Sequence, residues 1–161
     1  MLAPTTAGIT PVSTCNCRVK ASCPLDGQCL TPSIVYKASV SVPTKPTKVY
    51  YGITEGPFKD RFYNHTQSFK HKRYSTNTEL SKYLWDQRDA ELDATIRWEI
   101  AQRSVPYQCG SRRCDLCISE KTIIALADPE PLLNKRTELV SCCRHRSKYT
   151  CAEALKHDAS M

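Results

Sequence analysis

The amino-acid sequence predicts an α+β fold: an α/β sandwich in which a small, mainly antiparallel, three-stranded sheet is flanked by helices. Two β-rich runs are separated by a proline-containing loop, a third run alternates apolar and polar residues, and other segments carry apolar residues at helical spacing. Hydrophobic residues make up 40% and charged residues 24% of the 161 residues, a composition typical of a globular domain.

The strands are predicted from β-forming runs and from alternation. Residues 33–42 and 48–53 are rich in β-branched and aromatic side chains, and the prolines of residues 43–46 make their connection a loop, which predicts a hairpin. Residues 94–101 alternate between apolar and polar side chains, as a half-buried third strand does.

The helices are predicted from apolar spacing and from their end residues. Pro57 suits the first turn of a helix that carries three phenylalanines and a histidine on one side. Thr76 or Asn77 is the predicted cap of a second helix. The later helical segments are residues 116–126, ended by Asp128-Pro129, and a short turn and helix in residues 131–139.

These elements divide the chain into four segments. The start is rich in proline and threonine and is predicted to be disordered, and a cysteine cluster without apolar periodicity follows it. The α+β domain comes next, and the end of the chain is basic and contains cysteines. The predicted boundaries are residues 1–14, 15–32, 33–140 and 141–161.

The net charge is +7, and basic residues concentrate in residues 59–73 and 135–148. A one-sided basic surface attracts the phosphate backbone, so DNA is the predicted partner, with a merely solvated basic surface as the alternative. No stretch approaches the roughly 20 apolar residues that cross a bilayer, so no membrane contact is predicted. The candidate DNA-binding residues are Lys59, Lys70, Lys72, Arg73, Lys135 and Arg136.

Ten cysteines require an explanation. Residues 1–12 lack the pattern of a secretory signal, which favours an intracellular location and metal binding over disulfides. Close thiolate pairs suit tetrahedral Zn²⁺, and the alternatives are reduced thiols or the disulfides of a secreted domain. The ligands predicted for a first zinc are Cys15, Cys17, Cys23 and Cys29. For a second zinc they are Cys114 and Cys117, with partners among Cys109, Cys143 and His145.

Four side chains near the predicted hairpin can carry chemistry. Tyr36 and Tyr50 lie on adjacent strands and can share a face, whereas Arg61 and His65 lie one turn apart on the next helix. Cleavage of a phosphodiester requires an activated water, positive charge at the phosphate oxygens and a stabilised leaving oxygen. Ordinary strand aromatics and a helix histidine that fills a polar gap are the alternative interpretation.

Glu120 is the most informative carboxylate, because its helix places it in line with an apolar stripe. A carboxylate that faces a core is costly unless it is paired or binds a metal. Its hard oxygens suit Mg²⁺ (or Mn²⁺), which often takes one protein carboxylate together with substrate phosphate. An ion pair with Arg61 or Arg97 is the alternative.

These residues together resemble the signature of the GIY-YIG nucleases. Ile34-Val35-Tyr36 and Tyr50-Tyr51-Gly52 resemble its two halves, and Arg61-Phe62-Tyr63-Asn64-His65 resembles the helix that follows. Glu120 matches the carboxylate of the family's late helix, and Asn134 matches its terminal asparagine. The chain departs from the pattern at Ile34, where the family has glycine, at Tyr51, where isoleucine is usual, and in the long loop of residues 37–49.

A closer similarity is to the endonuclease domain of Penelope-like retroelements. There the domain follows a reverse transcriptase and nicks target DNA to prime copying, so the resemblance implies a nuclear location and a reverse transcriptase in the same polyprotein. The residues that carry it are Cys15-Asn16-Cys17-Arg18, Cys23-Pro24-Leu25, Arg113-Cys114-Asp115-Leu116-Cys117 and Cys143-Arg144-His145.

The resemblance implies a metal-dependent DNA endonuclease that uses catalytic Mg²⁺ and structural Zn²⁺. The alternative is a catalytically inactive zinc-binding nucleic-acid module of the same fold. The resemblance implies that Tyr36, assisted by Tyr50, acts as general base or orients water, and that Arg61 stabilises the charge on the phosphate. It implies that His65 positions water or protonates the leaving group. It also implies that Glu120 holds Mg²⁺ and that Asn134 binds phosphate or orients the site.

Overall fold

The computed structural model describes residues 14–108, 110–140, 142, 143 and 145. The predicted disordered start, apart from residue 14, and most of the tail lie outside the described residues, as do Cys109 and Cys151. The fold is α+β, as predicted, and no described helix combines the length and apolar character needed to cross a membrane. The strands are β1 (Ile34–Ser41), β2 (Lys48–Thr54) and β3 (Thr95–Arg103); the α-helices are α1 (Phe58–Lys70), α2 (Glu79–Asp89) and α3 (Asp115–Leu126); short 3-10 helices are Lys20–Ser22, Lys72–Tyr74 and Arg136–Val140.

The central strand of the sheet is β1, which pairs antiparallel with both β2 and β3. In this register Gly52 lies opposite Tyr36 on one side, and Ile100 lies opposite it on the other. The pairing with β3 shifts between Val35 and Tyr36. Such an irregularity changes the direction of neighbouring side chains, and here it occurs at a predicted site residue.

The two faces of β1 are covered by different helices. Tyr36, Ala38 and Val40 belong to a core that includes residues of α1 and α2. Val35 instead packs with Leu116 of α3. Because successive side chains of a strand point to opposite faces, the sheet lies between α1 and α2 on one side and α3 on the other.

The cap of α2 differs from the prediction. The Thr78 hydroxyl accepts the backbone N–H of Ser81 at 3.1 Å, so the predicted Thr76 or Asn77 is not the capping residue. Several consecutive polar residues precede the apolar positions of this helix, and their pattern did not identify which one caps it.

The segment after α3 continues the sheet at the free edge of β2. Leu132 forms a parallel bridge with Val49, and the backbone of Val49 bonds to Pro131 and Leu133 at 2.8 Å each. The chain then enters the 3-10 helix, so the predicted short turn and helix in residues 131–139 is present as an edge segment followed by a 3-10 helix.

Candidate active site and metal centres

The Tyr36 hydroxyl is the centre of the candidate site. Its oxygen lies 2.7 Å from Nε2 of His65 and accepts a hydrogen bond from Nε of Arg61 at 3.1 Å. Tyr36 is fully buried, and its ring packs edge-on against Phe58 with centroids 5.2 Å apart. Arg61 and His65 are one turn apart on α1, and that spacing brings both to the same hydroxyl.

Gly52 makes room for this hydroxyl. A Cβ atom at Gly52 would lie 2.3 Å from the Tyr36 hydroxyl oxygen, closer than any van der Waals contact allows. The register that sets Gly52 opposite Tyr36 therefore explains why the second tyrosine motif, Tyr50-Tyr51-Gly52, ends in glycine.

Burial determines the protonation of this group of side chains. Burial and, to a smaller extent, the Arg61 cation lower the pKa of the His65 imidazole to about 3, so His65 is neutral near pH 7. Burial raises the pKa of the Tyr36 phenol, and this outweighs the opposing effect of Arg61. Neutral His65 can therefore accept the phenol hydrogen through Nε2, with its own hydrogen on Nδ1.

Tyr50 packs beside the same histidine, with ring centroids 6.1 Å apart. Burial also raises its pKa, and the neighbouring Tyr36 raises it further. The two tyrosines thus share a face of the sheet, as adjacent strands allow, and both remain protonated phenols.

Glu120 and Arg61 line a common cavity of about 410 Å³. Burial and the nearby Glu138 outweigh the opposing charges of Lys121, Arg61 and His145 and raise the pKa of the Glu120 carboxyl to about 7. A half-buried carboxylate beside another acid is stabilised by a bound cation, and its oxygens are ligands that Mg²⁺ prefers. The donor atoms and the space therefore fit a divalent cation held by Glu120.

The alternative ion pair of Glu120 does not occur within the described part of the chain. The salt bridges there join other residues, and none joins Glu120 to Arg61 or Arg97. Among the described residues, the carboxylate therefore lines the cavity without a salt bridge, and the positive charges of Lys121, Arg61 and His145 act on it without forming one.

Asn134 binds the protein backbone. Its Oδ1 accepts the N–H of Tyr51 and its Nδ2 donates to the carbonyl of Tyr51, each at 2.8 Å, so the amide continues the β2 edge as a further strand residue would. Nδ2 also lies 3.2 Å from Oε2 of Glu138. Asn134 is buried, and this geometry suits the orienting role among its two predicted roles.

Cys15, Cys17, Cys23 and Cys29 converge, and we call them the N-terminal cluster. Their sulfurs lie within 4.8 Å of one another, with Cys29 Sγ 3.6 Å from Cys15 Sγ and 3.7 Å from Cys17 Sγ. A tetrahedral Zn²⁺ with bonds of about 2.3 Å separates its sulfurs by about 3.8 Å. The cluster could therefore bind a metal such as zinc, and none of the described cysteines forms a disulfide.

Cys114, Cys117, Cys143 and His145 form a second cluster, with ligand atoms again within 4.8 Å of one another. Nδ1 of His145 lies 3.5 Å from Cys114 Sγ, 3.3 Å from Cys117 Sγ and 3.8 Å from Cys143 Sγ. Of the predicted partners, Cys143 and His145 are thus the ones that meet Cys114 and Cys117. This set also has the chemistry and spacing to hold a metal such as zinc.

Each cluster contacts the candidate site in its own way. The carbonyls of Cys29 and Thr31 accept the first backbone N–H groups of α1, from Lys59 at 2.7 Å and from Phe58 at 3.2 Å. These N–H groups have no partner inside a helix, so the cysteine segment caps α1. In the second cluster, Cys117 and His145 line the same cavity as Glu120.

The predicted DNA-binding residues are only partly free. Lys72 and Lys135 form salt bridges with acidic side chains at 3.1 and 2.9 Å, and Lys59 donates to Asn16 at 2.6 Å. Lys70, Arg73 and Arg136 are exposed, and the Arg73 guanidinium lies over a tyrosine ring, 4.6 Å from its centroid.

Three residues near the site were not predicted. Gly52 contacts the Tyr36 hydroxyl, and Glu138 contacts Asn134. Glu55 lies 3.7 Å from Nε2 of His145. The glycine was part of the tyrosine motif and Glu138 lies at helical spacing from Asn134, but neither signal specifies a contact.

Comparisons of the chain with protein-family models, with curated proteins and with solved structures find no match.

Proposed function

We propose that this protein is a metal-dependent DNA endonuclease of the GIY-YIG type that nicks target DNA. The observation that carries the proposal is the cavity shared by Arg61 and Glu120, with Tyr36 and His65 directly behind the arginine. The guanidinium supplies a fixed positive charge, and the carboxylate can hold a metal cation in the same cavity. Together they can stabilise the negative charge that develops while a phosphodiester is cleaved.

Arg61 is the proposed contact to the scissile phosphate. Its Nε–H is held by Tyr36 and the guanidinium also hydrogen-bonds Tyr50, which leaves the remaining N–H groups for phosphate oxygens. Tyr36 thereby positions the guanidinium, and charge that develops on the phosphate is stabilised without reorganisation of the side chain.

Tyr36 is proposed to position Arg61 rather than to act as the base. Its hydroxyl donates to neutral His65 and accepts from Arg61. Because Tyr36 is fully buried and does not line the cavity, it acts on the substrate through the Arg61 guanidinium. The raised pKa of Tyr36 opposes a phenolate, and the low pKa of His65 keeps the imidazole neutral, so it is not the acid that protonates the leaving oxygen. His65 is therefore a positioning residue for Tyr36.

Glu120 is the proposed ligand of Mg²⁺ or Mn²⁺. A divalent cation bound there supplies positive charge for the phosphate and leaving oxygens. Tyr50 packs against His65, and Asn134 fixes the β2 edge, so both orient the site. The two cysteine clusters bind structural Zn²⁺, one capping α1 and the other forming a wall of the cavity.

The proposal includes the biological setting implied by the likeness to Penelope-like retroelements. The nick would provide a primer end on nuclear DNA for a reverse transcriptase in the same polyprotein. The support for this setting is the sequence resemblance alone.

The test is nicking of supercoiled plasmid with Mg²⁺ or Mn²⁺. Arg61→Ala and Glu120→Gln should each lower kcat by about 100-fold or more, because each removes charge stabilisation used in the transition state. Tyr36→Phe should lower it by up to about 100-fold, because Arg61 keeps its charge but loses the hydrogen bond that positions it. EDTA should abolish cleavage.

Matched controls are Arg97→Ala and Glu99→Gln, which change the same residue types outside the cavity and should cut as the wild type does. Circular dichroism and zinc content verify that each variant is folded. A folded, zinc-loaded wild type that cuts no DNA with either cation overturns the proposal and favours the inactive binding module, which a gel shift would then detect.

A further inference from the structure

A second cavity is also lined by Arg61. It has a volume of about 460 Å³, within the range of roughly 300–1,000 Å³ typical of ligand sites, and Arg61 lines both cavities. The second cavity, which we call the side cavity, therefore adjoins the proposed position of the scissile phosphate. It is lined by Arg61, Asn64, Gln67, Ser68, His71, Arg73, Tyr74 and Asn77.

Among the residues that the structure describes, the lining of the side cavity is polar and contains no acid. Within residues 14–108 and 110–140, no hydrogen bond uses the side-chain amides of Asn64, Gln67 or Asn77. An amide offers both donors and acceptors. Phosphate uses only the donors, whereas the edge of a nucleobase uses both.

The side cavity also has an aromatic surface with a cation beside it. Tyr74 is half-buried, and the Arg73 guanidinium lies 4.6 Å from its ring centroid. The His71 ring lies 6.2 Å from the same centroid and perpendicular to it. Aromatic side chains next to guanidinium groups are the elements that hold unstacked bases and their backbone.

We infer that the side cavity binds one nucleotide of the nicked strand, next to the scissile phosphate. Arg61 and Arg73 contact the backbone, Tyr74 or His71 stacks on the base, and the amides of Asn64, Gln67 and Asn77 bond to its edge. This inference rests on the proposed endonuclease function for the position of the strand, but the binding itself requires no cleavage.

The test uses duplexes that carry a single abasic residue at successive positions around the mapped nick, or around the centre of the duplex if no nick forms. Binding is measured by fluorescence anisotropy without divalent cations. For the wild type, one abasic position should weaken binding about tenfold, as loss of one base–aromatic stack does. Tyr74→Leu and Asn64→Ala should bind intact DNA more weakly than the wild type does. An abasic residue at the sensitive position should not weaken the binding of these variants any further.

Tyr63→Leu is the matched control, because Tyr63 is 61% exposed on α1 and lines neither cavity. Asn64 is exposed, so Asn64→Ala preserves the test if Tyr74→Leu does not fold. The inference fails if no abasic position matters, or if both variants keep the wild-type abasic profile as Tyr63→Leu does.

The two proposals fail separately. Suppose that the wild type does not nick plasmid, but one abasic position weakens its binding and this effect disappears in the variants. The nucleotide site in the side cavity is then supported, and the endonuclease function is not. If nicking depends on Glu120 while the abasic profile is flat, the function stands and the nucleotide site falls.

Discussion

The two cysteine clusters have similar ligand chemistry but differ in what they connect. The N-terminal cluster is local: its four cysteines lie within residues 15–29, upstream of the sheet. The second cluster connects the start of α3 with the segment after the 3-10 helix Arg136–Val140. Its His145 lies 31 positions after Cys114 and 28 positions after Cys117. One cluster therefore organises a neighbouring segment, and the other closes a long loop.

Their relation to the site differs correspondingly. The N-terminal cluster contacts α1 through backbone hydrogen bonds at its first turn, and α1 carries Arg61 and His65. The second cluster lines the cavity itself, beside Glu120. We therefore expect the N-terminal cluster to govern stability and the second to govern the shape of the cavity.

Cys29→Ser tests the first half of this contrast and should have the largest effect. Cys29 is fully buried, and its backbone carbonyl accepts an N–H group of the first turn of α1. A structural zinc site in a small domain contributes on the order of 10 kcal/mol, comparable to the whole stability of about 5–15 kcal/mol. Thermal unfolding should lose its cooperative transition, and zinc content should decrease.

The control is Cys142→Ser, an exposed cysteine that belongs to neither cluster and should unfold as the wild type does. A Cys29→Ser protein that retains full stability would mean that the N-terminal segment is only an appendage of α1.

Cys117→Ser tests the second half. Cys117 lies one turn before Glu120 on α3, and the core around β1, α1 and α2 does not include it. We expect cooperative unfolding to persist, bound zinc to fall from two ions to one, and nicking to fall about tenfold or more, as loss of a supporting metal site does.

Zinc is counted by atomic emission, and nicking is compared at equal amounts of folded protein. Unfolding of Cys117→Ser as complete as that of Cys29→Ser would remove the contrast, because both clusters would then be parts of one core.

The same contrast explains what the sequence could predict. Local patterns sufficed for the strands, the helices and the N-terminal cluster, since these depend on neighbouring residues. The second cluster left three candidate partners for Cys114 and Cys117, because a ligand about 30 residues away is chosen by the path of the chain. The positions of Gly52 and Asn134 depend on strand register, which no local spacing encodes.

Burial explains the roles that the sequence left open. The sequence pattern predicted that Tyr36 and His65 lie close together, but it could not predict that both are buried. Burial raises the pKa of Tyr36 and lowers the pKa of His65. The role proposed for Tyr36, which is to position Arg61 instead of acting as base or water orienter, therefore required the fold.

Glu55→Gln sharpens the comparison with a smaller effect. Glu55 Oε2 lies 3.7 Å from His145 Nε2, while Nδ1 of the same ring faces the three sulfurs. A carboxylate at the far nitrogen fixes the tautomer that binds metal, and its loss typically lowers affinity about 10–100-fold. The affinity for one of the two zinc ions should therefore decrease by about 10–100-fold, which a chelator titration would measure.

Glu99→Gln is the control, because Glu99 pairs with Lys37 away from both clusters. Equal release of both ions, or unchanged release of both, would show that the carboxylate does not support the second cluster.

Asn16→Ala should have the smallest effect. The Asn16 side chain accepts from Lys59 at 2.6 Å, but this bond is exposed, whereas the Cys29 carbonyl accepts the backbone N–H of Lys59 at 2.7 Å. An exposed hydrogen bond contributes about 1 kcal/mol or less, so urea unfolding should shift by no more than that. A loss of several kcal/mol would mean that side-chain contacts, not the backbone cap, join the N-terminal cluster to α1.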